Sequence, residues 1–385
     1  MLKEEFLAKI TQPIVDLYSY TEDSLLLSVV RHLKTGKKTD LVEWEVRKLS
    51  EMGALRNEAI RTVAKTNRKA QTLLSQLLNS TALEALRSNG VGKPEITKNI
   101  VQLVSAIQMN ATNHLNVVNS TMVSSTVAKF RGLADSIFQA VEDKKNRILG
   151  EEATRLTLGT TGVEKSVKST IVRLSNEGIT AFTDSIGRNW SPEGYVRMDM
   201  VTTANNTART VIQEQGKGLG LDIILVSSHG GARPLCAPYQ GRCYSLSGRS
   251  GTITDANGNT YDFEPISVTG YDPNSRTNIE PAGLFGINCR HYFRYIEEGS
   301  FINRETVIDT EKADEKNARE YAISQQMRAY ERNIRKDTRT AQMLDTFEKG
   351  AGAEYTARAN KLKEEYASYA RQSGFSPDWA RTKVY

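Results

Sequence analysis

The side chains with the most chemistry to offer fall in two short stretches. The first is His229-Gly-Gly-Ala-Arg233-Pro234-Leu-Cys236, and about fifty residues later comes Asn288-Cys289-Arg290-His291. A thiolate and an imidazole from each stretch supply four ligands for a tetrahedral ion, and zinc suits that mixture of sulfur and nitrogen. Such an ion would staple a loop-rich region that has little core of its own. The spacings, six residues inside the first pair and one inside the second, are not those of common zinc fingers. Two other readings stay open. The four side chains can hydrogen-bond and pack between neighbouring loops without metal. Alternatively, Cys236 or Cys289 is a nucleophile and His229 or His291 the base that removes its proton, although no nearby carboxylate or oxyanion hole is identifiable.

Weaker motifs resolve into ordinary structure. Gly216-Lys217-Gly218-Leu219-Gly220 imitates a phosphate loop, but it precedes an apolar strand instead of following one, so it reads as the end of a helix. Asp255, Asn257 and Asn259 imitate a calcium loop, yet Thr260 and Ile266 stand where Gly and Glu are needed. Asn257-Gly258 predicts a type I′ hairpin instead. Arg328, Arg332, Arg335, Lys336 and Arg339 are spaced along one side of a helix and could meet DNA phosphates or an acidic protein surface. The alternative is a solvated face partnered by Glu331 and Asp337.

The elements that position these residues follow from patterning. Up to about residue 185 the chain has almost no proline, and apolar residues return every three or four positions, which predicts helices. Phe130, Leu133, Ile137 and Val141 form one stripe; Leu41, Trp44, Leu49, Met52 and Leu55 form a looser one. Breaks are expected at Gly36-Lys37-Lys38 and from Ser88-Asn89-Gly90 to Pro94. Ser191-Pro192-Glu193 starts a helix whose buried stripe is Val201, Ala204, Ala208, Val211 and Ile212. Leu221 to Val226 reads as a buried strand. From His229 to about Tyr295 the chain is rich in Gly, Pro, Asn and Ser, with short extended stretches at 251–254 and 260–263. A charged helical stretch follows from about Glu305 to Arg371, with Tyr355, Leu362, Tyr366 and Tyr369 as a packing seam. Ser376-Pro377-Asp378 then opens a short turn carrying Trp379.

The expected architecture is therefore α+β: a helical region over 1–185, a central region over 186–300 that holds the Cys/His loops, and charged helices over 301–385. At 385 residues the chain is long enough for ordinary hydrophobic cores. A formal charge of +6 hints at a polyanionic neighbour without establishing one. No apolar run reaches the roughly 18–20 residues of a membrane span. The N-terminal MLKEEFLAKI lacks a signal-peptide pattern, so a cytosolic site of synthesis is expected. With three cysteines there, reduced thiols or a metal site are expected in preference to disulfides.

The segment HGGARPLCAPYQGRCYSLSG, followed by GYDPNSRTNIEPAGLFGINCRHYF, resembles the hallmark of the phage minor capsid protein 2 family, which is related to the phage Mu F-like head morphogenesis proteins. Its residues here are His229, Gly231, Arg233, Pro234, Cys236, Gln240 and Gly241, then Gly270, Gly283, Gly286, Asn288, Cys289, Arg290 and His291. RNWSPEGYVRM, MRAYERNIRKDTR and FSPDWARTKVY resemble flanking parts of the family, and Trp44 to Leu55 echoes its N-terminal part. The resemblance implies a structural virion protein of a tailed phage, made in the bacterial cytoplasm and lodged inside the head near the portal. Portal protein, inner capsid and double-stranded DNA are its implied partners, in head assembly and genome packaging or delivery. It brings no catalytic residues. Cys243 stands where relatives often carry an apolar residue. Because F-type domains can be fused to effectors, a phage-delivered hydrolase or toxin using the Cys/His residues is the competing expectation.

Overall fold

A computed structural model describes residues 4–34, 41–89, 96–147, 160–272, 284–287, 289–300, 302 and 310–385. The expected connections at 36–38 and 90–94, the expected helix start near Glu305, Gly283 and Asn288, and the side chains of Leu41 and Val141 lie outside the described residues. The chain folds as α+β. Four helices come first: α1 (Glu4–Lys34), α2 (Leu41–Asn89), α3 (Lys98–Arg147) and α4 (Thr160–Glu177). The hairpin β1 (Phe182–Thr183) and β2 (Asn189–Trp190) follows, then α5 (Pro192–Gly218). The strands β3 (Ile223–Val226), β4 (Cys243–Ser245), β5 (Gly251–Thr254), β6 (Thr260–Pro265) and β7 (Phe293–Tyr295) precede α6 (Thr310–Phe347) and α7 (Ala353–Gln372). Contacts divide the chain into two compact units. One comprises Met1–Val15, Ala70–His114 and Val196–Gln325; the other comprises Asp16–Lys69, Leu115–Tyr195 and Gln326–Tyr385.

The second unit is helical because its apolar residues recur at helical spacing. Leu26, Val29, Val30 and Leu33 of α1, Leu55 and Ala59 of α2, Phe130, Leu133 and Ile137 of α3, and Val167, Ile171 and Leu174 of α4 are all buried. The looser α2 stripe is corrected: Trp44 and Leu55 are buried, but Leu49 is exposed. Position 49 lies roughly 140° around the helix from position 44, whereas position 48 lies only about 40° away. Lys48 therefore takes the inward place. Its ammonium donates to the His32 carbonyl, pairs with Glu51 and sits 5.4 Å from the Trp44 ring centre.

The chain leaves helix earlier than the pattern suggests, because 182–190 forms a hairpin. Asp184 organises its tip, accepting from the backbone N–H groups of Ile186 and Arg188 and from the Trp190 indole. The Arg188 backbone N–H, the Trp190 indole and the Arg188 guanidinium hold the Asp184 carboxyl down at about 2. The next helix begins as expected, with Ser191 Oγ accepting from Gly194 N at 3.2 Å. The C-terminal stretch is two helices. Asp345 accepts from Gly350 N and Gly352 N across the break, and a side chain at Gly352 would collide with the Ala341 backbone. Of the expected seam Tyr366 is buried, beside Ala359 and Ala370, while Tyr355, Leu362 and Tyr369 are half-buried. Tyr366 stacks on Tyr330 at 6.0 Å and donates to Glu331 Oε1 at 2.8 Å, while Trp379 packs edge-on against it.

In the first unit a five-stranded sheet runs in the order β5-β6-β4-β3-β7, with β4 and β6 parallel and the other pairs antiparallel. Every residue of β3 is buried, as its continuous apolar run predicts. Ile223, Leu225, Cys243, Ile253, Phe263, Ile296 and Ile302 form its core cluster. Gly216 of α5 lies against the Tyr295 ring, where a Cβ has no room. The β5–β6 hairpin forms where expected, but its turn is not type I′. That turn needs two left-handed residues, and only Gly258 is left-handed, with φ of 80°. Asp255 decides the geometry. Its carboxylate accepts from Asn257 N and Asn259 N, and Gly258 N donates to its carbonyl.

Candidate functional site

Three of the sheet's strands reach one end together. There β3 runs out at Val226, β4 enters at Cys243 and β7 enters at Phe293, and the ladder continues one step as Ser227 N donates to Tyr292 O at 2.8 Å. His229 lies just beyond β3 and His291 just before β7. The two Cys/His stretches, distant in sequence, are therefore neighbours because their strands pair. Cys236 Sγ lies 3.8 Å from Cys289 Sγ, and Cys289 Sγ lies 3.4 Å from His291 Nδ1. The ligand atoms of Cys236, Cys289 and His291 all fall within 4.8 Å of one another. These residues are enclosed, with exposures of 1%, 2% and 1%. His229 does not join that set; its ring stacks on His291 with centroids 4.4 Å apart.

The hydrogen bonds fix both imidazole tautomers. Gln240 Oε1 accepts the backbone N–H of His229 at 3.1 Å, so that atom is an acceptor and the 3.1 Å bond from His291 Nε2 must be a donation. A neutral His291 therefore turns the lone pair of Nδ1 toward Cys289. His229 Nδ1 lies 3.0 Å from the Gly230 carbonyl, which can only accept, so its proton is on Nδ1. The remaining nitrogen, Nε2, is buried and has no hydrogen-bond partner among the described residues.

Each loop is tied to a helix by side chains that the sequence pattern did not single out. Asn317 of α6 clamps Ala232, accepting from its N–H at 2.7 Å and donating to its carbonyl at 2.8 Å. Asn205 of α5 donates to Cys289 O at 2.7 Å. One turn along, Arg209 donates to Phe285 O at 3.1 Å, also bonds Asn206, and lies 4.9 Å from the Phe285 ring centre. Phe285 has φ of 65°, a conformation that is costly for a residue with a bulky side chain. It aims the Phe285 N–H at Cys289 Sγ, 3.2 Å away. Asn205 and Arg209 were detectable in principle as a polar pair beside Ala204 and Ala208 of the expected stripe. Asn317 and Phe285 carry no comparable signal.

The electrostatics follow this geometry. The bond that Cys236 gives its sulfur, aided by His291 and Arg209 and opposed by burial, holds the Cys289 thiol well below its usual range. The same bond, together with burial, pushes Cys236 up. Burial, reinforced by His291, pushes His229 down and favours its neutral form. Burial also lowers Arg209, against the influence of Tyr271 and Cys289. Chemically, the space between Cys289 Sγ and His291 Nδ1 suits either one shared proton or a cation in its place. Cys243 is separate: it packs in the sheet core, and burial raises its thiol to about 11.

The remaining hallmark residues frame the site. Arg233 Nη2 lies 3.7 Å from Cys236 Sγ, and the Arg233 carbonyl accepts from Cys236 N and Ala237 N around the exposed Pro234. Gly241, at φ of 69°, turns the chain into β4, and Arg290 is half-buried. The arginine stripe does not form one open face. Arg335 pairs with Glu193 at 2.8 Å, and Arg339 is held by Glu22 and Asp23. Arg328 is half-buried; Arg332 and Lys336 are exposed. The acidic residues expected beside the stripe turn inward, Glu331 to Tyr366 and Asp337 to Arg358. Among the described residues, no helix is long and apolar enough to cross a membrane.

Comparison with known proteins agrees with the hallmark. The chain is 27% identical over 346 residues to a structural protein of Lactococcus phage LL-H, covering 87% of this chain and 86% of that protein. No solved structure matches. The phage minor capsid protein 2 family matches residues 2–368, nearly the whole chain, and the protein belongs to that family.

Proposed function

We propose that this phage structural protein is a portal-associated component of the head, acting in head assembly and genome packaging or delivery, and that it is not a catalyst. The observation that carries the non-catalytic part is the enclosure of the Cys/His site. Its two thiols and His291 are at most 2% exposed, and their polar neighbours bond to loop backbone. A nucleophile must meet its substrate, whereas a staple must avoid solvent. The portal assignment is supported by family membership and by the match to a phage structural protein along most of both chains. Within the arginine stripe, contact with double-stranded DNA would fall to the exposed Arg332 and Lys336, because Arg328 is half-buried and the charges of Arg335 and Arg339 are used inside the chain.

Co-sedimentation of the full chain with its cognate portal tests the assignment. Saturable association, and retention in portal-containing heads, is expected; heads that assemble and package DNA normally without the protein would overturn it. For DNA, replacing Arg332 and Lys336 with Ala should flatten the salt dependence of binding by about 2 in slope. The hydrolase or toxin reading has one observation in its favour, the depressed Cys289 thiol beside His291. It requires loss of activity in a folded Cys289→Ser protein.

A further inference from the structure

We propose that Cys236, Cys289 and His291 bind one zinc ion, that His229, whose ring is stacked on His291 and lies outside this cluster in the structure, turns its Nε2 in as the fourth ligand, and that the ion staples the loop leaving β3 to the loop entering β7. The inference goes beyond the head-assembly role and does not depend on it. A tetrahedral zinc with Zn–S near 2.3 Å and Zn–N near 2.0–2.1 Å separates two sulfurs by about 3.8 Å and a sulfur from a nitrogen by about 3.6 Å. The observed separations are 3.8 Å between the sulfurs and 3.4 Å between Cys289 Sγ and His291 Nδ1.

Three independent features fit a cation. His291 presents an unprotonated Nδ1 because Gln240 takes its Nε2–H, an outer hydrogen bond of the kind that orients metal-bound histidines. His229 anchors its Nδ1–H on a backbone carbonyl and leaves a buried Nε2 lone pair that accepts from none of the described residues. That orphan is expensive unless something fills it. The Phe285 N–H points at Cys289 Sγ from a strained backbone, a bond suited to a thiolate and weak for a neutral thiol, since thiol sulfur is a poor acceptor. Two thiol sulfurs and an imidazole in a buried three-membered set favour zinc over the harder magnesium or calcium.

The test is elemental analysis of the full chain purified under reducing conditions, with thermal unfolding before and after chelation. One zinc per chain is expected, along with a lower midpoint after chelation that zinc alone restores. Cys289→Ser should lose the ion, whereas Cys243→Ser, a buried thiol outside the site, should keep it. His229→Ala should weaken retention by about tenfold or more while leaving the fold intact. Because that variant removes only one ligand, it remains informative where cysteine variants do not fold. Metal-free protein that takes up no zinc and ignores chelator, or a Cys236–Cys289 disulfide in the reduced preparation, would overturn the site. Unchanged zinc affinity in His229→Ala would overturn the fourth ligand.

Discussion

Two buried polar clusters, one in each unit, solve the same problem differently. In the helical unit, Arg339 meets two carboxylates: it donates to Glu22 Oε2 at 3.0 Å and to Asp23 Oδ1 at 2.8 Å. Backbone N–H groups of Ile179 and Tyr385 complete the shell around those carboxylates. The set is closed. Around the Cys/His loops, by contrast, His229 Nε2, Asn205 Oδ1 and Arg209 Nη1 are all buried with no hydrogen-bond partner among the described residues. A network that satisfies itself is a structural joint, whereas buried polar atoms left over leave room for a further partner.

The sharpest way to break the comparison is to open the closed set. Arg339→Ala leaves two buried carboxylates uncompensated and should destabilise the helical unit by about 3–5 kcal/mol, read by denaturant unfolding. Its pH dependence carries a sign. Burial, opposed by Arg339, raises the Glu22 and Asp23 carboxyls above their usual values. The folded state then binds their protons more tightly than the unfolded chain does, so their ionisation costs stability as pH rises through the raised folded values. Without Arg339 that window extends upward, and the defect should shrink as pH falls from neutrality toward the carboxylate range. A defect independent of pH would show that the cluster is not governed by carboxylate burial.

A smaller effect should come from the clamp on the other cluster. Asn317→Ala removes both bonds to Ala232 and should cost about 1–3 kcal/mol. If the Cys/His loops enclose an ion, it should also make zinc easier to strip; stability loss without any change in metal retention would reduce Asn317 to ordinary packing. Gly216→Ala is comparable, because the added methyl meets the Tyr295 ring. Overpacking there should cost about 1–3 kcal/mol while the helical unit keeps its hydrogen-exchange protection. The smallest change concerns His114, whose pKa is raised chiefly by its 2.9 Å bond with Asp199. The contribution is fully present below the unfolded value and fades as pH rises through the raised folded one. Half-exposed as it is, the pair is worth under about 1 kcal/mol. Asp199→Asn should lower the His114 titration midpoint seen by NMR, and an unmoved midpoint would remove the pair from the account.

Much of the fold was legible because long amphipathic helices repeat their signal many times. Phe130, Leu133 and Ile137 are buried as their spacing requires, and Ala204, Ala208 and Val211 likewise. Short elements gave no such signal. The strands at 182–183 and 189–190 are too brief to show a period, and the break between α6 and α7 rests on Asp345 reaching forward to two glycine amides. The Asn257-Gly258 pair marked the right place for a turn but misnamed its type, because the Asp255 carboxylate competes for the same backbone groups. In the arginine stripe, helical spacing placed the charges along one side but could not reveal that Arg335 and Arg339 have carboxylates packed against them.

By itself the sequence determined the α+β class, the helical spans, the buried strand β3, the family hallmark and the two Cys/His stretches, since these depend on local composition and spacing. Only the tertiary structure decided which of those side chains meet. The pairing of β3 with β7 carries Cys236, Cys289 and His291 to one point across about fifty residues of chain, and α5 and α6 supply the amides and guanidinium that hold their loops. Strand register and helix docking are properties of the whole core, and no window of sequence contains them.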